Sequence, residues 1–324
     1  MCTCINIIGS SGFFGRTLDL DYSFNEKVII TPRNYKIDFK CEKSISNHYA
    51  IVGIGTIVEN FPLYAEASNE HGLSIAYLNF NGLARYNEIK KDRLNLAVYE
   101  VGLFLLSKYK NVDQIKNEIE KINIINIPYN DKTSLTDLHI MIADNKESVV
   151  IEQTLSGLKV YKNRYNVLTN NPEFSFHENN LSRYIGLSNL PPTNNIDKCI
   201  DFNIYSLGLG AIGLPGDYSS TSRFVRAFFN KSNAILDDDE KKDVYTFFKL
   251  LDSISIIKGL IKTEKVYHYT IYSSCFSYKS KMFYYKTYNS NKIYKIDMLN
   301  KDLTQKTLIE MKLNENIEFI EQNS

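Results

Sequence analysis

An α+β fold of mainly antiparallel sheets covered by helices is predicted by three features of this chain. Strand-like patterns dominate both ends, helical spacing marks three segments between them, and no linker or internal repeat divides the run. Met1 to Ile8 reads as an apolar strand that begins at the initiator methionine, and Phe14 to Asp21 reads as its partner. Val28 to Thr31, Ala50 to Gly55 and Leu73 to Asn79 follow as short strands separated by polar or glycine-containing turns. The period then changes: Leu94, Val98, Val101, Leu105 and Leu106 recur at helical spacing, and Val112, Ile115 and Ile119 mark a second helix. Leu138 to Ala143 and Ser148 to Glu152 flank Asp144-Asn145-Lys146-Glu147, and Ser156-Gly157 turns the chain into Leu158 to Tyr161, an antiparallel meander. Asp237-Asp238-Asp239-Glu240 precedes the helical stripe Val244, Phe247, Phe248 and Leu251, with its acids at the positive end of the helix dipole. Lys281 to Tyr288 and Lys292 to Asp297, joined by Asn289-Ser290-Asn291, close the series as strands.

At 324 residues, 44% apolar, the chain is long enough to bury a substantial core. A formal net charge of +1 gives no reason to expect nucleic acid or a membrane surface as a partner. The five cysteines, Cys2, Cys4, Cys41, Cys199 and Cys275, are scattered and form no CxxC pair, which argues against a disulfide framework and a zinc site. With no basic and apolar leader and no run of eighteen apolar residues, a soluble cytoplasmic protein is expected. There, removal of Met1 alone would expose Cys2.

That exposure carries chemistry. A terminal Cys2 would bear a thiol and an α-amine that titrates near pH 8, roughly two units below a lysine, so one residue becomes both nucleophile and base. Read by itself, Cys2 is a small buried hydrophobe at the start of a strand. Hairpin geometry brings Arg16 and Asp19 near it, the guanidinium favouring thiolate and the carboxylate orienting the ammonium. Read by themselves, these two are an exposed pair in a turn. A Cys–His dyad drawn from His48, His71, His139, His177 or His268 lacks any local signature, and His139 sits in an alternating strand where it packs or is solvated. The GxGxxG match Gly208 to Gly213 runs into the turn Leu214-Pro215-Gly216-Asp217 instead of a helix, and reads as a flexible loop.

An ordered series of motifs spans nearly the whole chain. It comprises Met1-Cys2-Thr3; Phe14-Gly15-Arg16 with Asp19; Thr31-Pro32-Arg33-Asn34-Tyr35; Asn69-Glu70-His71-Gly72-Leu73; Leu78-Asn79-Phe80; Val167-Leu168-Thr169-Asn170-Asn171-Pro172; Gly213-Leu214-Pro215-Gly216-Asp217; Ser222-Arg223-Phe224; and Tyr269-Thr270-Ile271-Tyr272-Ser273-Ser274. On these the chain resembles the choloylglycine hydrolase family, the bile salt hydrolases and penicillin V acylases among the N-terminal nucleophile hydrolases. The resemblance implies a single domain over 1–324, folded as a four-layer αββα sandwich, with the mature chain starting at Cys2 and with no cofactor or metal.

Carried over residue by residue, the resemblance implies Cys2 as nucleophile, its amine as base, and Arg16 and Asp19 as their supports. It further implies Asn79 and Asn170 as donors to the oxyanion and Arg223 as the holder of the charge network. Leu18, Phe24, Val58, Ala65 and Tyr129 match steroid-lining positions, and Leu78-Asn79-Phe80 follows the bile salt hydrolase pattern over that of the acylases. The substrate implied is a glycine- or taurine-conjugated bile salt. A penicillin V acylase, an acyl-homoserine lactone acylase and an inactive binding homologue are the alternatives. Three positions depart from the family pattern: Tyr77, expected to share a face with Asn79; Ile140, where a tryptophan is usual; and Thr133-Ser134 in a pocket-lining loop. A homotetramer is implied as well, because Tyr205 to Leu214 resembles a loop that reaches across subunits.

Overall fold

The computed structural model describes residues 1–132 and 135–323; the departure at Thr133 and Ser134 lies outside the described residues. In chain order the elements are β1 (Cys2–Ile7), β2 (Phe13–Leu20), β3 (Lys27–Thr31), β4 (Ile51–Val58), β5 (Phe61–Asn69), β6 (Ser74–Asn79) and β7 (Leu94–Ala97). Helices α1 (Val98–Lys108) and α2 (Val112–Ile119) follow, then β8 (Ile122–Ile125), β9 (Leu138–Ala143), β10 (Ser148–Thr154), β11 (Gly157–Lys162) and β12 (Val167–Leu168). The remainder is α3 (Phe174–Leu181), α4 (Ser220–Asn233), α5 (Glu240–Asp252), β13 (Ile261–Lys262), β14 (Tyr267–Ser277), β15 (Met282–Thr287), β16 (Tyr294–Asp297) and β17 (Ile309–Lys312).

Two antiparallel sheets carry the fold. The first runs β12-β1-β2-β14-β15-β16, with β13 on β14; the second runs β11-β10-β9-β6-β5-β4-β3-β17. Period-two alternation explains why they stack. Within the second sheet, Val28, Ile30, Val52, Ile54, Ala76, Leu78, Met141 and Val150 share a core with Cys2, Cys4, Phe14 and Leu18 of the first. Their neighbours Ile29, Ile51, Ile75, Tyr77, Ile140, Ile142 and Ile151 face the other way and pack with Val101, Leu105, Ile115 and Ile119 of α1 and α2. On the outside of the first sheet, Phe13 packs at a tilt against Phe247 of α5, centroids 5.6 Å apart, and a Cβ on Gly15 would lie 2.7 Å from that same ring. Helix, sheet, sheet, helix is therefore the layer order.

Helix α5 starts where its acids predict: Asp239 caps it by accepting from the Lys241 amide at 3.0 Å. Leu94, read as the first residue of a helix, instead opens β7, which pairs in parallel with β8; the helix begins four residues later at Val98. A spacing of four fits the helix stripe and a strand leading into it equally well. Sequence patterns also pass over β5, β8, α3, α4 and most of β14. Strand β14 lies between β2 and β15 with both faces covered, so its Thr270, Ser273, Ser274 and Ser277 are buried and no polar alternation marks it.

Candidate active site

Strand pairing delivers the first three residues. Cys2 lies opposite Leu18 and Cys4 opposite Arg16, so Arg16 and the Cys2 side chain share the face turned toward the second sheet. Thr3 lies opposite Thr17, and Asp19, two residues on, shares their face, turned toward α4. On the other side of β1, β12 pairs Cys4 with Leu168, and continuing that register sets Asn170 beside Cys2.

The Cys2 nitrogen, an amide here because Met1 is present, donates to Asn170 Oδ1 at 2.7 Å. Arg223 of α4 donates from Nη2 to the same oxygen at 2.8 Å, and from Nη1 to the Cys2 carbonyl at 2.6 Å and to Thr3 Oγ1 at 2.5 Å. Two donors converge on Oδ1, which fixes the orientation of the Asn170 amide. Its Nδ2 donates to the backbone carbonyl of Asn79 at 2.8 Å. Asn79 Oδ1 accepts from the Asn81 amide at 3.2 Å and so closes the turn after β6.

The Asp19 carboxylate faces Arg223 Nη1 at 3.8 Å and accepts from Thr270 Oγ1 at 2.6 Å. The sequence reading has this carboxylate orient the terminal ammonium of a processed Cys2; with Met1 in place, the Asp19 backbone meets Met1, its N donating to the Met1 carbonyl at 2.9 Å. The carboxylate thus reaches Cys2 through Arg223. Burial lowers the Arg223 pKa, against the opposing charges of Asp19 and Cys2.

Arg16 is fully buried, and its Nη1 donates to the carbonyls of Tyr77 at 2.5 Å and Ala65 at 3.0 Å. Burial opposes its charge, but Cys2, Glu66 and Tyr272 outweigh that and raise its pKa. Glu66, which the sequence reading missed, lies 3.7 Å from Arg16 Nε and accepts from Tyr272 Oη at 2.8 Å. Burial pushes its carboxyl up to about 7 in spite of Arg16 and that hydrogen bond. A lone carboxylate inside the apolar run of β5 was the signal available for it. Burial also raises the thiols of Cys4 and Cys275, which are sealed in the core.

The five expected pocket residues divide. Leu18, Phe24 and Ala65 pack on the core between the sheets, whereas Val58 and Tyr129 pack on the cluster under α1, where Tyr129 meets Phe61 at 5.5 Å and Tyr99 at 5.7 Å. Tyr77 also points into that outer cluster, and its Oη accepts from the Gly102 amide of α1 at 2.6 Å. Ile140 is buried beside it, opposite Tyr77 in the β6–β9 ladder. An apolar cavity of about 460 Å³ between α3 and α4, bordered by Tyr165, Leu181 and Phe228, shares no lining residue with the Cys2 group. Among the described residues no helix is long and apolar enough to cross a membrane.

The sequence profile of the linear amide C–N hydrolases, choloylglycine hydrolase family, matches residues 2–317. A bile salt hydrolase/transferase from Lactiplantibacillus plantarum is 41% identical over 320 residues, 98% of this chain and 99% of the relative. The structure of a mutant conjugated bile acid hydrolase from Clostridium perfringens superposes with a TM-score of 0.91 at 33% identity, covering 100% of both chains. A penicillin V acylase from Agrobacterium tumefaciens shares the fold, with a TM-score of 0.77 at 17% identity over 97% of this chain and 92% of its own.

Proposed function

This chain belongs to the choloylglycine hydrolase family and is a linear amide C–N hydrolase; we propose that it cleaves the amide bond of glycine- or taurine-conjugated bile salts. The names of its relatives and the Leu78-Asn79-Phe80 run support that substrate. In this reading residues 1–324 act as one domain, and Met1 is removed so that Cys2 becomes the terminal residue. The observation that carries it is the 2.7 Å contact between the Cys2 nitrogen and Asn170 Oδ1, braced by Arg223, which would hold a free amine beside its own thiol.

The proton of the Cys2 thiol passes to its α-amine, and the thiolate attacks the amide carbonyl to form a C–S bond. The oxyanion accepts from Asn79 Nδ2 and from the second Nδ2–H of Asn170. Collapse breaks the C–N bond as the ammonium returns its proton to the departing glycine or taurine nitrogen, leaving a thioester. The neutral amine then takes a proton from water, hydroxide displaces sulfur, and the thiol is restored. Arg16 favours the thiolate by its charge, and Asp19 orients the terminal ammonium and anchors Arg223. Leu18, Phe24, Val58, Ala65 and Tyr129 contact the steroid. A cytoplasmic setting and a homotetramer complete the proposal, the latter supported by the exposed Tyr205 and Leu207.

Amine release from glycocholate, taurocholate and penicillin V by purified protein, with its intact mass measured, tests this. Glycine or taurine release by protein lacking Met1, abolished in Cys2→Ser, is expected. Cleavage of penicillin V alone would move the substrate to the acylase branch, and turnover by Cys2→Ser would overturn the nucleophile.

A further inference from the structure

Two consecutive backbone carbonyls lead the Asn170 side chain to Cys2, and each ends on a buried histidine. His139 Nε2 lies 2.8 Å from the Thr169 carbonyl, and His177 Nε2 lies 2.9 Å from that of Asn170. Both rings are inaccessible and stacked, His139 on Phe80 with centroids 4.4 Å apart and His177 on Phe224 at 4.8 Å. A carbonyl only accepts, so each Nε2 carries a proton.

At His139 the other nitrogen faces Glu152 Oε1 at 3.0 Å. Whether the proton between them sits on the ring or on the carboxyl, Nε2 keeps its own. The remaining tautomer would set a bare Nε2 against the Thr169 oxygen, lone pair to lone pair. Glu152 Oε1 also accepts from the Phe174 amide at 2.9 Å, which ties this ring to the start of α3, the helix that carries His177. At His177 Nδ1 has no hydrogen-bond partner among the described residues, and burial takes the ring down to about 4, so it is a neutral donor. The Asn170 amide is taken too, donating to Ser220 Oγ at 2.8 Å, and Ser220 in turn donates to Thr169 Oγ1 at 2.9 Å.

We infer that His139, held in place by Glu152, and His177 are positioning residues that clamp the Thr169 and Asn170 carbonyls and so hold Asn170 Oδ1 on the Cys2 nitrogen. The inference rests on the reading of Cys2 as a nucleophile served by its own amine. Neither histidine touches Cys2; both act through Asn170. Because misplacing a polar partner by about 1 Å can cost on the order of a hundredfold in rate, a loosened clamp should register in kcat.

The test uses the processed enzyme with His139→Leu and His177→Leu, each alone and in an Asn170→Ala background. One readout is kcat and KM for glycine release from glycocholate per folded chain, counted by circular dichroism. The other is the pH dependence of Cys2 alkylation by iodoacetamide, which needs no amide substrate. Each single leucine variant should lose about tenfold or more in kcat with KM within about twofold, and displace the alkylation midpoint. In the Asn170→Ala background the same substitution should cost little further, because its route is already cut. Leucine variants that keep wild-type kcat per folded chain and the wild-type alkylation profile while melting lower would overturn the inference, as would an undiminished loss on top of Asn170→Ala. Should leucine prevent folding, His→Asn replaces it in the same measurements, since its amide stops short of the carbonyl. A wild type that leaves glycocholate intact, with alkylation still displaced in the variants, would sink the bile salt reading and leave the clamp standing.

Discussion

Arg16 leaves its own sheet: from β2 its Nη1 donates to the carbonyl of Tyr77 in β6 at 2.5 Å. The same nitrogen reaches Ala65 of β5. Strands β5 and β6 pair from Ser68 opposite Ser74 to Glu66 opposite Ala76 and stop there. Ala65 is the residue left over where the β4–β5 register shifts between Ile54 and Gly55. The guanidinium thus satisfies two carbonyls exposed where the strands part, and it keeps a positive charge under Cys2. A lysine offers neither the fork nor the reach to do both.

Arg16→Leu is expected to abolish measurable turnover and to destabilise the fold by about 3 kcal/mol or more near pH 8, because it leaves Glu66 buried without its cation. Adding Glu66→Gln should return much of that stability and none of the activity. Urea melts of the single and double variants, set beside their turnover, check this; equal stability of the two would contradict the pairing.

Glu66 makes stability depend on pH. Its folded pKa near 7 lies above the ordinary 4.5, so the folded protein holds the proton more tightly. The resulting contribution, about 3 kcal/mol, is fully present below about pH 4.5 and is lost as pH rises through about 7. Glu66→Gln should remove this downward slope from denaturation midpoints measured between pH 4.5 and 8, against the upward slope of the paired surface carboxylates. An unchanged slope would show that Glu66 stays ionised throughout.

Tyr77 and Gly102 form a matched pair. A Cβ on Gly102 would lie 2.7 Å from Tyr77 Oη and 2.5 Å from Ile75 Cδ1. Gly102→Ala should therefore destabilise by about 1–3 kcal/mol, although alanine is the better helix former by about 1 kcal/mol. Tyr77→Ala would open a cavity, yet Gly102→Ala in that background should cost less than in the wild type. A full double-mutant cycle by thermal melting measures the coupling, and additive effects would contradict it.

Arg223→Lys should fold and lose about a hundredfold or more in kcat, since a single ammonium cannot hold Asn170 Oδ1, the Cys2 carbonyl and Thr3 Oγ1 together. Asp19→Asn should act the same way but less severely, because Thr270 still anchors the side chain. Steady-state kinetics at saturating substrate, with circular dichroism to count folded protein, separate these from loss of protein. Wild-type kcat in Arg223→Lys would show that the three contacts are dispensable.

Whatever depends on neighbours along the chain is legible before folding. Alternation places Cys2 and Arg16 on one face of a hairpin, the stripe from Val244 to Leu251 makes a helix, and Asp239 starts it. The ordered motifs picked out the candidate site residues by resemblance alone, since the contacts between them are invisible along the chain. Only the tertiary structure decided who touches whom across sheets. It put the Asp19 carboxylate on Arg223, turned Tyr77 outward onto α1, buried Glu66 against Arg16, and set two histidines on the carbonyls beside Asn170. A carboxylate or an imidazole in an apolar strand carries no local mark of its partner. For Arg16 and Glu66 that partner arrives from about 50 residues away along the chain, and its identity is set by the stacking of the two sheets, not by chain periodicity.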